Sequence, residues 1–169
     1  MKPTLYLFIG YPGAGKTTIA KAIEDKTGAR HLWADAARHE MFGKPTHSKS
    51  ESTVLYEYLN AETARLLSEG RSVIFDTNFN YYEDRQHLRH IASEVGADTK
   101  LIWVSTPYET SKHRAVHSGE SRNGYEDAMS AEQFDAIASK LEAPGKDEVF
   151  IKIDGTKLDL QAVNDQICS

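Results

Sequence analysis

A segment near the start of the chain combines glycines, a lysine and a hydroxyl side chain at a spacing that suits phosphate binding. Its glycines let backbone N–H groups turn inward around an anion, and the helix that follows adds the positive end of its dipole. In such a loop the Lys16 ammonium reaches the β- and γ-phosphates, and the Thr17 hydroxyl ligates Mg²⁺. The sequence therefore predicts a site for a nucleoside triphosphate, ATP, with magnesium. The predicted binding residues, of which the first eight fit G-x-x-x-x-G-K-[ST], are Gly10, Tyr11, Pro12, Gly13, Ala14, Gly15, Lys16, Thr17 and Thr18.

A carboxylate and an arginine follow the second predicted strand. Asp35 begins a predicted short helix, and Arg38 lies three residues later, within about one helical turn. A carboxylate near a transferred phosphate can accept the proton of an attacking hydroxyl. An arginine beside it can hold an anionic group of the acceptor. An N-cap aspartate with a solvated arginine gives the same pattern, so the spacing alone leaves both interpretations open.

The third predicted strand also ends at a carboxylate, Asp76. Beside a phosphate-binding loop, an acid at such a strand end supports Mg²⁺, directly or through water. Thr17 and Asp76 are therefore the predicted metal-site residues, although an aspartate can also simply end a strand. Short polar side chains that suit acceptor binding follow at the same edge: Thr77, Asn78 and Asn80.

Basic residues concentrate after the fourth predicted strand. Lys112, Arg114 and Arg122 share the segment from 112 to 124 with a single acid, Glu120, against the acidic trend of the whole chain. Positive charge beside a triphosphate can stabilise the negative charge that spreads onto a transferring phosphoryl group. A solvated basic helix end is the alternative interpretation.

The predicted elements that position these residues alternate between strands and helices. Five apolar segments have the composition of strands: Thr4 to Ile9, Arg30 to Trp33, Ser72 to Phe75, Lys100 to Val104 and Glu148 to Ile153. Helices are predicted to begin at Thr17, Asp35, Glu51, Tyr82, Pro107, Ala131 and Leu158. This alternation predicts an α/β fold of three layers, in which helices cover both faces of a parallel sheet. The functional site of such a sheet lies outside the carboxyl ends of its strands.

Length and composition limit the classes of protein that fit. The 169 residues predict one domain over 1–169, and Cys168 as the single cysteine excludes an internal disulfide. Twenty Lys and Arg against 25 Asp and Glu give a net charge of −5, which disfavours binding along a nucleic-acid duplex. The N-terminal apolar stretch is too short for a signal peptide or a membrane span. We therefore expect a cytoplasmic protein without a membrane and without an obligate protein partner.

Three motifs together carry a resemblance to a known family. Gly10–Thr17, Asp35-Ala36-Ala37-Arg38 and Asp76-Thr77-Asn78-Phe79-Asn80 resemble the small P-loop kinases grouped around polynucleotide 5′-hydroxyl kinase. Zeta-toxin-like sugar-nucleotide kinases, chloramphenicol phosphotransferase and gluconate kinase are more distant relatives. The glycine motif is shared by all P-loop proteins, whereas D-x-x-R and D-T-N are more specific. The resemblance implies a P-loop NTPase fold with strand order 2-3-1-4-5 and a helical lid over about residues 108–128.

The resemblance also implies roles for the site residues. Asp35 corresponds to the base that accepts the acceptor's hydroxyl proton, Arg38 to an acceptor contact and Asp76 to a support of the site. Arg114 ends a predicted helix as the family's lid arginine does, and Arg122 is the second choice. The predicted catalytic residues are thus Lys16, Asp35, Arg38 and Arg114.

Three functions fit these observations. The first is transfer of the γ-phosphoryl group of ATP to a 5′-hydroxyl of a nucleic-acid end or nucleoside. The second is transfer to a small metabolite, sugar nucleotide or antibiotic by the same fold. The third is a regulatory switch that binds a nucleotide and has no acceptor. The D-x-x-R and D-T-N elements favour the first.

Overall fold

Strands and helices alternate in the computed structural model, which describes residues 2–78, 81–117 and 129–169. The strands are β1 (Thr4–Ile9), β2 (Arg30–Trp33), β3 (Val73–Asp76), β4 (Asp98–Val104) and β5 (Ile151–Ile153). The helices are α1 (Lys16–Thr27), α2 (Ala34–Phe42), α3 (Lys49–Ser68), α4 (Tyr82–Glu94), α5 (Tyr108–His117), α6 (Ala131–Ala138) and α7 (Leu160–Cys168).

The strands form one parallel sheet in the order β2-β3-β1-β4-β5. This order confirms the predicted α/β fold class and the strand order that the family resemblance implies. β1 occupies the centre of the sheet, so the loop that follows it emerges between the carboxyl ends of β3 and β4. That is the position at which parallel α/β sheets bind their ligands.

Alternating side chains of β1 build the two hydrophobic layers. Leu5, Leu7 and Ile9 pack on the side covered by α3 and α4, whereas Tyr6 and Phe8 pack on the side covered by α1 and α7. All five are at most 5% exposed. A strand buried on both faces must be apolar at every position, which is why this segment is a continuous apolar run.

Several predicted element boundaries differ from the structure by a few residues, and two of them involve carboxylates. Asp35 was expected to cap α2, but Trp33 holds the N-cap position and Asp35 lies in the first helical turn. A carboxylate there is still favoured by the helix dipole. The last strand begins at Ile151 instead of Glu148, because the Glu148 N–H donates to the Gly145 carbonyl oxygen in a turn.

Three charged residues, Arg85, Arg89 and Glu148, form a buried ion cluster between α4 and the segment before β5. Arg85 Nε and Nη2 donate to the two oxygens of Glu148 at 2.9 and 2.7 Å, and Arg89 Nη1 donates at 2.5 Å. Arg85 also donates to the carbonyl oxygens of Glu142 and Ala143. The cluster therefore fixes residues 142–148 on α4.

Arg85 is close in sequence to two acids of its own helix, Glu83 and Asp84, but its guanidinium binds Glu148 from outside that helix. The side chain of Arg85 is 2% exposed and that of Glu148 is 1% exposed. A guanidinium buried this deeply needs a carboxylate that is buried with it. The acid that meets it is 63 residues away in the chain, a separation at which helical spacing gives no signal.

The structure does not test the predicted extent of the domain or the predicted position of the lid. The single domain over 1–169 and its lid at about 108–128 stay predictions, because residues 118–128 lie outside the described part of the chain. Arg122 belongs to that segment. Among the described residues, no helix combines the length and the apolar character needed to cross a lipid bilayer.

The ion cluster gives a testable pH dependence. Burial opposes the charged form of Glu148, but hydrogen bonds from Arg85, the Gly145 N–H and Arg89 outweigh it and lower the pKa from 4.5 to about 2. A depressed folded-state pKa stabilises the protein above the unfolded pKa, and this stabilisation is lost as the pH falls from 4.5 towards 2. We expect Glu148→Gln to lower the free energy of unfolding at neutral pH by about 3–5 kcal/mol, because Arg85 loses its counter-ion.

Urea denaturation followed by circular dichroism at several pH values measures this effect. The free energy of unfolding of Glu148→Gln should fall less steeply than that of the wild type over the same acidic window. The matched control is Glu69→Gln, which breaks an exposed ion pair with Arg65 and should cost less than about 1 kcal/mol. Equal losses in the two variants would show that the buried cluster does not stabilise the fold.

Candidate active site

The glycine motif forms a loop between β1 and α1 whose backbone conformation only glycine adopts easily. Gly13 and Gly15 have positive φ angles of 80° and 113°, and Gly15 is the N-cap residue of α1. A Cβ atom on Gly13 would meet the Ser111 carbonyl oxygen of α5 at 2.5 Å. The loop ends at the N-terminus of a twelve-residue helix, where amide groups and the helix dipole favour an anion.

Neighbouring strand ends hold this loop in place. Thr106, just after β4, donates its hydroxyl hydrogen to the Ala14 carbonyl oxygen at 2.7 Å. Gly155, just after β5, packs so closely that an added Cβ would overlap both Thr106 Oγ1 and the Ala14 oxygen. The phosphate-binding loop therefore depends on contacts from segments 92 or more residues further along the chain.

Arg114 joins the same contact region from α5. Its Nη1 donates to the Gly155 carbonyl oxygen at 2.9 Å and to that of Gly13 at 3.4 Å. Its Nη2 donates to the Thr156 carbonyl oxygen at 3.1 Å. The structure thus brings the predicted lid arginine to the edge of the phosphate loop, and its role as the lid arginine stays a prediction.

The Lys16 side chain lies at the centre of the loop. Its Nζ donates to the carbonyl oxygens of Gly10 and Tyr11, both at 2.8 Å, and the residue is 5% exposed. The ammonium is thus held inside the loop by backbone carbonyl groups, and its contact with the phosphates stays a prediction. Thr18 follows in the first turn of α1 and is half-buried.

A hydroxyl and a carboxylate meet beside the lysine. Thr17 Oγ1 donates to Asp76 Oδ2 at 2.9 Å, which joins the start of α1 to the end of β3. Asp76 is 3% exposed. A hydroxyl and a carboxylate are oxygen donors of the kind that Mg²⁺ takes in nucleotide sites. The donor set therefore fits a magnesium ion held by Thr17 and Asp76.

Sequence reasoning missed a third member of this group, His31. Its Nε2 lies 2.9 Å from Asp76 Oδ2, and the ring stacks on Trp33 with 8° between the ring planes. β2 and β3 are neighbours, and Trp33 pairs in register with Asp76. A histidine in the strand that ends beside Asp35 was the available signal. His31 orients the carboxylate by giving it a second hydrogen-bond donor.

The Asp35 side of the site has a buried polar network. Arg38 Nη1 donates to Glu51 Oε1 at 2.6 Å and Nη2 donates to Ser52 Oγ at 3.1 Å. Both charged side chains are at most 7% exposed. In the structure the guanidinium of Arg38 binds Glu51. The acceptor contact proposed for Arg38 stays a prediction.

The other members of this network lie at the start of α3 and after β3. Burial opposes the charged form of Glu51, but hydrogen bonds from the Thr46 N–H, Arg38, the Thr46 hydroxyl and the His47 N–H outweigh it and lower its pKa to about 2. The Tyr56 hydroxyl forms a short hydrogen bond with Thr77. Burial raises the pKa of Tyr56, and the nearby Asp35 carboxylate adds to the rise. Asn80 lies outside the described residues.

The fold and this loop define a P-loop nucleotide-binding protein. The chain belongs to the AAA domain family AAA_33, whose model matches residues 5–144. The bifunctional enzyme NodQ of Rhizobium sp. (strain N33) is 27% identical over 160 residues, which cover 89% of this chain and 23% of NodQ. The "Probable adenylyl-sulfate kinase" of Pseudomonas aeruginosa is 29% identical over 160 residues, which cover 86% of this chain and 67% of that protein. This chain therefore spans less than a quarter of NodQ.

Solved structures share the fold at low sequence identity. APS kinase CysC of Mycobacterium tuberculosis, solved in complex with AMPPNP and APS, has a TM-score of 0.70 at 19% identity, and the match covers 99% of both chains. A sugar kinase from Janibacter sp. HTCC2649 has a TM-score of 0.71 at 21% identity, and the match covers 98% of this chain and 92% of that one. At such identities the likeness shows the fold.

The close approach of Gly155 to the phosphate loop gives a second prediction. Gly155→Ala should lower the affinity for MgATP about ten- to a hundredfold, because displacing the loop misplaces its amide groups. Isothermal titration calorimetry with MgATP measures the affinity.

The matched control is Gly96→Ala, where a Cβ meets nothing within 4 Å but φ is +73°. That control should lose about 1–2 kcal/mol of stability and keep its affinity. An unchanged affinity in Gly155→Ala would refute the role assigned to this contact.

Proposed function

We propose that the protein transfers the γ-phosphoryl group of ATP to a hydroxyl group of a small molecule, with Mg²⁺. The observation that carries this proposal is the meeting of Thr17 Oγ1 and Asp76 Oδ2 at 2.9 Å beside the buried Lys16. A lysine, a magnesium ligand pair and a phosphate loop form the part of a kinase that binds and activates the triphosphate. Asp35 lies in the first turn of α2, directly after β2, the strand that pairs with β3. We assign its carboxylate to the acceptor hydroxyl.

Each of these site residues has its own role in the proposed reaction. The acceptor oxygen attacks the γ-phosphorus, the bond from that phosphorus to the β–γ bridging oxygen breaks, and ADP leaves. Asp35 accepts the proton of the attacking hydroxyl on a carboxylate oxygen. Lys16 neutralises the β- and γ-phosphate oxygens, and Arg114 adds positive charge from α5. Magnesium, when bound, neutralises phosphate charge, and Thr17 and Asp76 would hold it.

A small-molecule acceptor is better supported than a nucleic-acid end. The D-x-x-R element favoured a nucleic acid, but Arg38 binds Glu51 and Ser52 inside the protein. The P. aeruginosa relative carries the name of a kinase whose acceptor is adenylyl sulfate, a small molecule. The net charge of −5 is also unfavourable for binding a polyanion.

The proposal is tested with γ-labelled ATP, Mg²⁺ and separate acceptors: monosaccharides, ribonucleosides, adenylyl sulfate and a 5′-hydroxyl oligonucleotide. We expect label on at least one of the small molecules. Label on the oligonucleotide alone would establish a polynucleotide kinase instead. Release of phosphate that no acceptor changes would favour the nucleotide-dependent switch.

Two variants test the roles proposed for Lys16 and Asp35. Lys16→Ala should abolish transfer and weaken ATP binding, since the triphosphate loses its buried cation. Asp35→Asn should slow transfer by about two to four orders of magnitude and leave ATP affinity unchanged, because an amide does not accept the proton. The matched control is Asp165→Asn, which changes an exposed carboxylate on α7. A wild-type rate in Asp35→Asn would remove this residue from the mechanism.

A further inference from the structure

The Asp76 carboxylate at the end of β3 receives two hydrogen bonds on the same oxygen. Thr17 Oγ1 of α1 and His31 Nε2 of β2 each lie 2.9 Å from Asp76 Oδ2. The side chains of His31 and Asp76 are 7% and 4% exposed. His31 is therefore in direct contact with one of the two residues that would hold magnesium, and it comes from a different strand.

The pairing of β2 with β3 explains why this contact needs a long side chain. The two strands are parallel, with His31 opposite Ile74 and Trp33 opposite Asp76. His31 is thus the diagonal neighbour of Asp76. Diagonal neighbours in a sheet are farther apart than directly opposite residues, and long or aromatic side chains bridge that distance. From position 31, a donor must lie as far out as the imidazole Nε2 to reach the carboxylate.

Packing against Trp33 and α1 fixes the plane of the His31 ring. The His31 and Trp33 rings stack with 8° between their planes and 5.8 Å between their centroids. Lys21 Nζ of α1 lies 5.2 Å from the centroid of the Trp33 ring. Thr17 and Lys21 are four residues apart on α1 and share one face of that helix. This face of α1 therefore contacts both Asp76 and Trp33, and His31 joins those two residues.

The hydrogen bond makes His31 a support of the carboxylate. A carboxylate oxygen only accepts, so Nε2 is the donor, and a ring nitrogen that carries a hydrogen has no lone pair for a cation. Carboxylates at metal sites are commonly held by such hydrogen bonds from behind, and the loss of one weakens metal binding. Magnesium demands near-ideal octahedral geometry. Its binding therefore depends on oxygen donors whose orientation is fixed.

We propose that His31 is a positioning residue of the magnesium site, which holds Asp76, together with Thr17, in the orientation that binds the metal of MgATP. This proposal rests on the proposed phosphotransfer, because it concerns the metal that the reaction uses. His31 acts through Asp76, and the proton transfer stays with Asp35.

Metal binding and nucleotide binding are measured separately and without turnover. The electron paramagnetic resonance signal of free Mn²⁺ reports metal binding to the protein with AMPPNP, and isothermal titration calorimetry in EDTA reports AMPPNP binding without metal. His31→Leu should weaken Mn²⁺ binding by about tenfold or more and leave the metal-free AMPPNP affinity within about twofold. The reason is that leucine fills the space of the ring but does not donate to Asp76.

Two further variants at position 31 separate the hydrogen bond from the volume of the side chain. His31→Gln places an amide N–H near the position of Nε2 and should keep the Mn²⁺ affinity within about threefold. The shorter side chain of His31→Asn does not reach Asp76, so this variant should lose as much affinity as His31→Leu.

The matched control is Leu32→Val, which shortens the next side chain of β2 on the opposite face of the sheet. Leu32 packs in the hydrophobic layer covered by α3 and α4. This variant should lower the melting temperature and keep the Mn²⁺ affinity of the wild type, because it does not contact Asp76.

The possible results distinguish this proposal from the proposed function. Wild-type Mn²⁺ affinity in folded His31→Leu would overturn the positioning role, and so would an equal fall in metal-free AMPPNP affinity. Both results would leave the proposed phosphotransfer intact. If His31→Leu does not fold, His31→Asn gives the same comparison with His31→Gln. A wild-type protein that binds no AMPPNP would overturn the proposed function and the role of His31 with it.

Discussion

The packing of the phosphate loop against the ends of β4 and β5 is the constraint on which the rest of the site depends. A loop that surrounds an anion points its amide groups inward, so its carbonyl groups need partners elsewhere. Thr106 and Arg114 supply hydrogen bonds to Ala14 and Gly13, and Gly155 allows the contact because it has no side chain. The sheet order brings these segments together, since β4 lies between β1 and β5.

The buried carboxylates in the described part of the chain share one feature. Each buried carboxylate in the site region or near it has several hydrogen-bond donors: Asp76 has Thr17 and His31, Glu51 has Arg38 and the Thr46–His47 backbone, and Glu148 has two arginines. Such groups cost much free energy to bury alone and little when their donors are prearranged. The hydrogen-bond donors that offset this free energy also fix the orientation of each carboxylate side chain. Rigid carboxylates are what a magnesium position requires.

The sequence predicted the fold well because its elements are locally encoded. β1 and β2 have the predicted boundaries, and the other described elements begin within a few residues of their predicted positions. Continuous apolar runs, helical spacing and glycine stops act over a few residues, so each is visible without the rest of the chain. The last strand is shorter than predicted because the Glu148 backbone lies in a turn, and the tertiary partner of its side chain is one that no local pattern reports.

The sequence by itself determined the phosphate loop and the positions of Asp35 and Asp76 at strand ends. These follow from a contiguous motif and from the rule that parallel strands end at one edge. Only the tertiary structure decided that His31 joins Asp76 and that Arg38 binds Glu51. The physical reason is that each of these contacts joins side chains from different elements. Their partners are chosen by packing and by the need to neutralise buried charge, and neither leaves a fixed spacing in the chain.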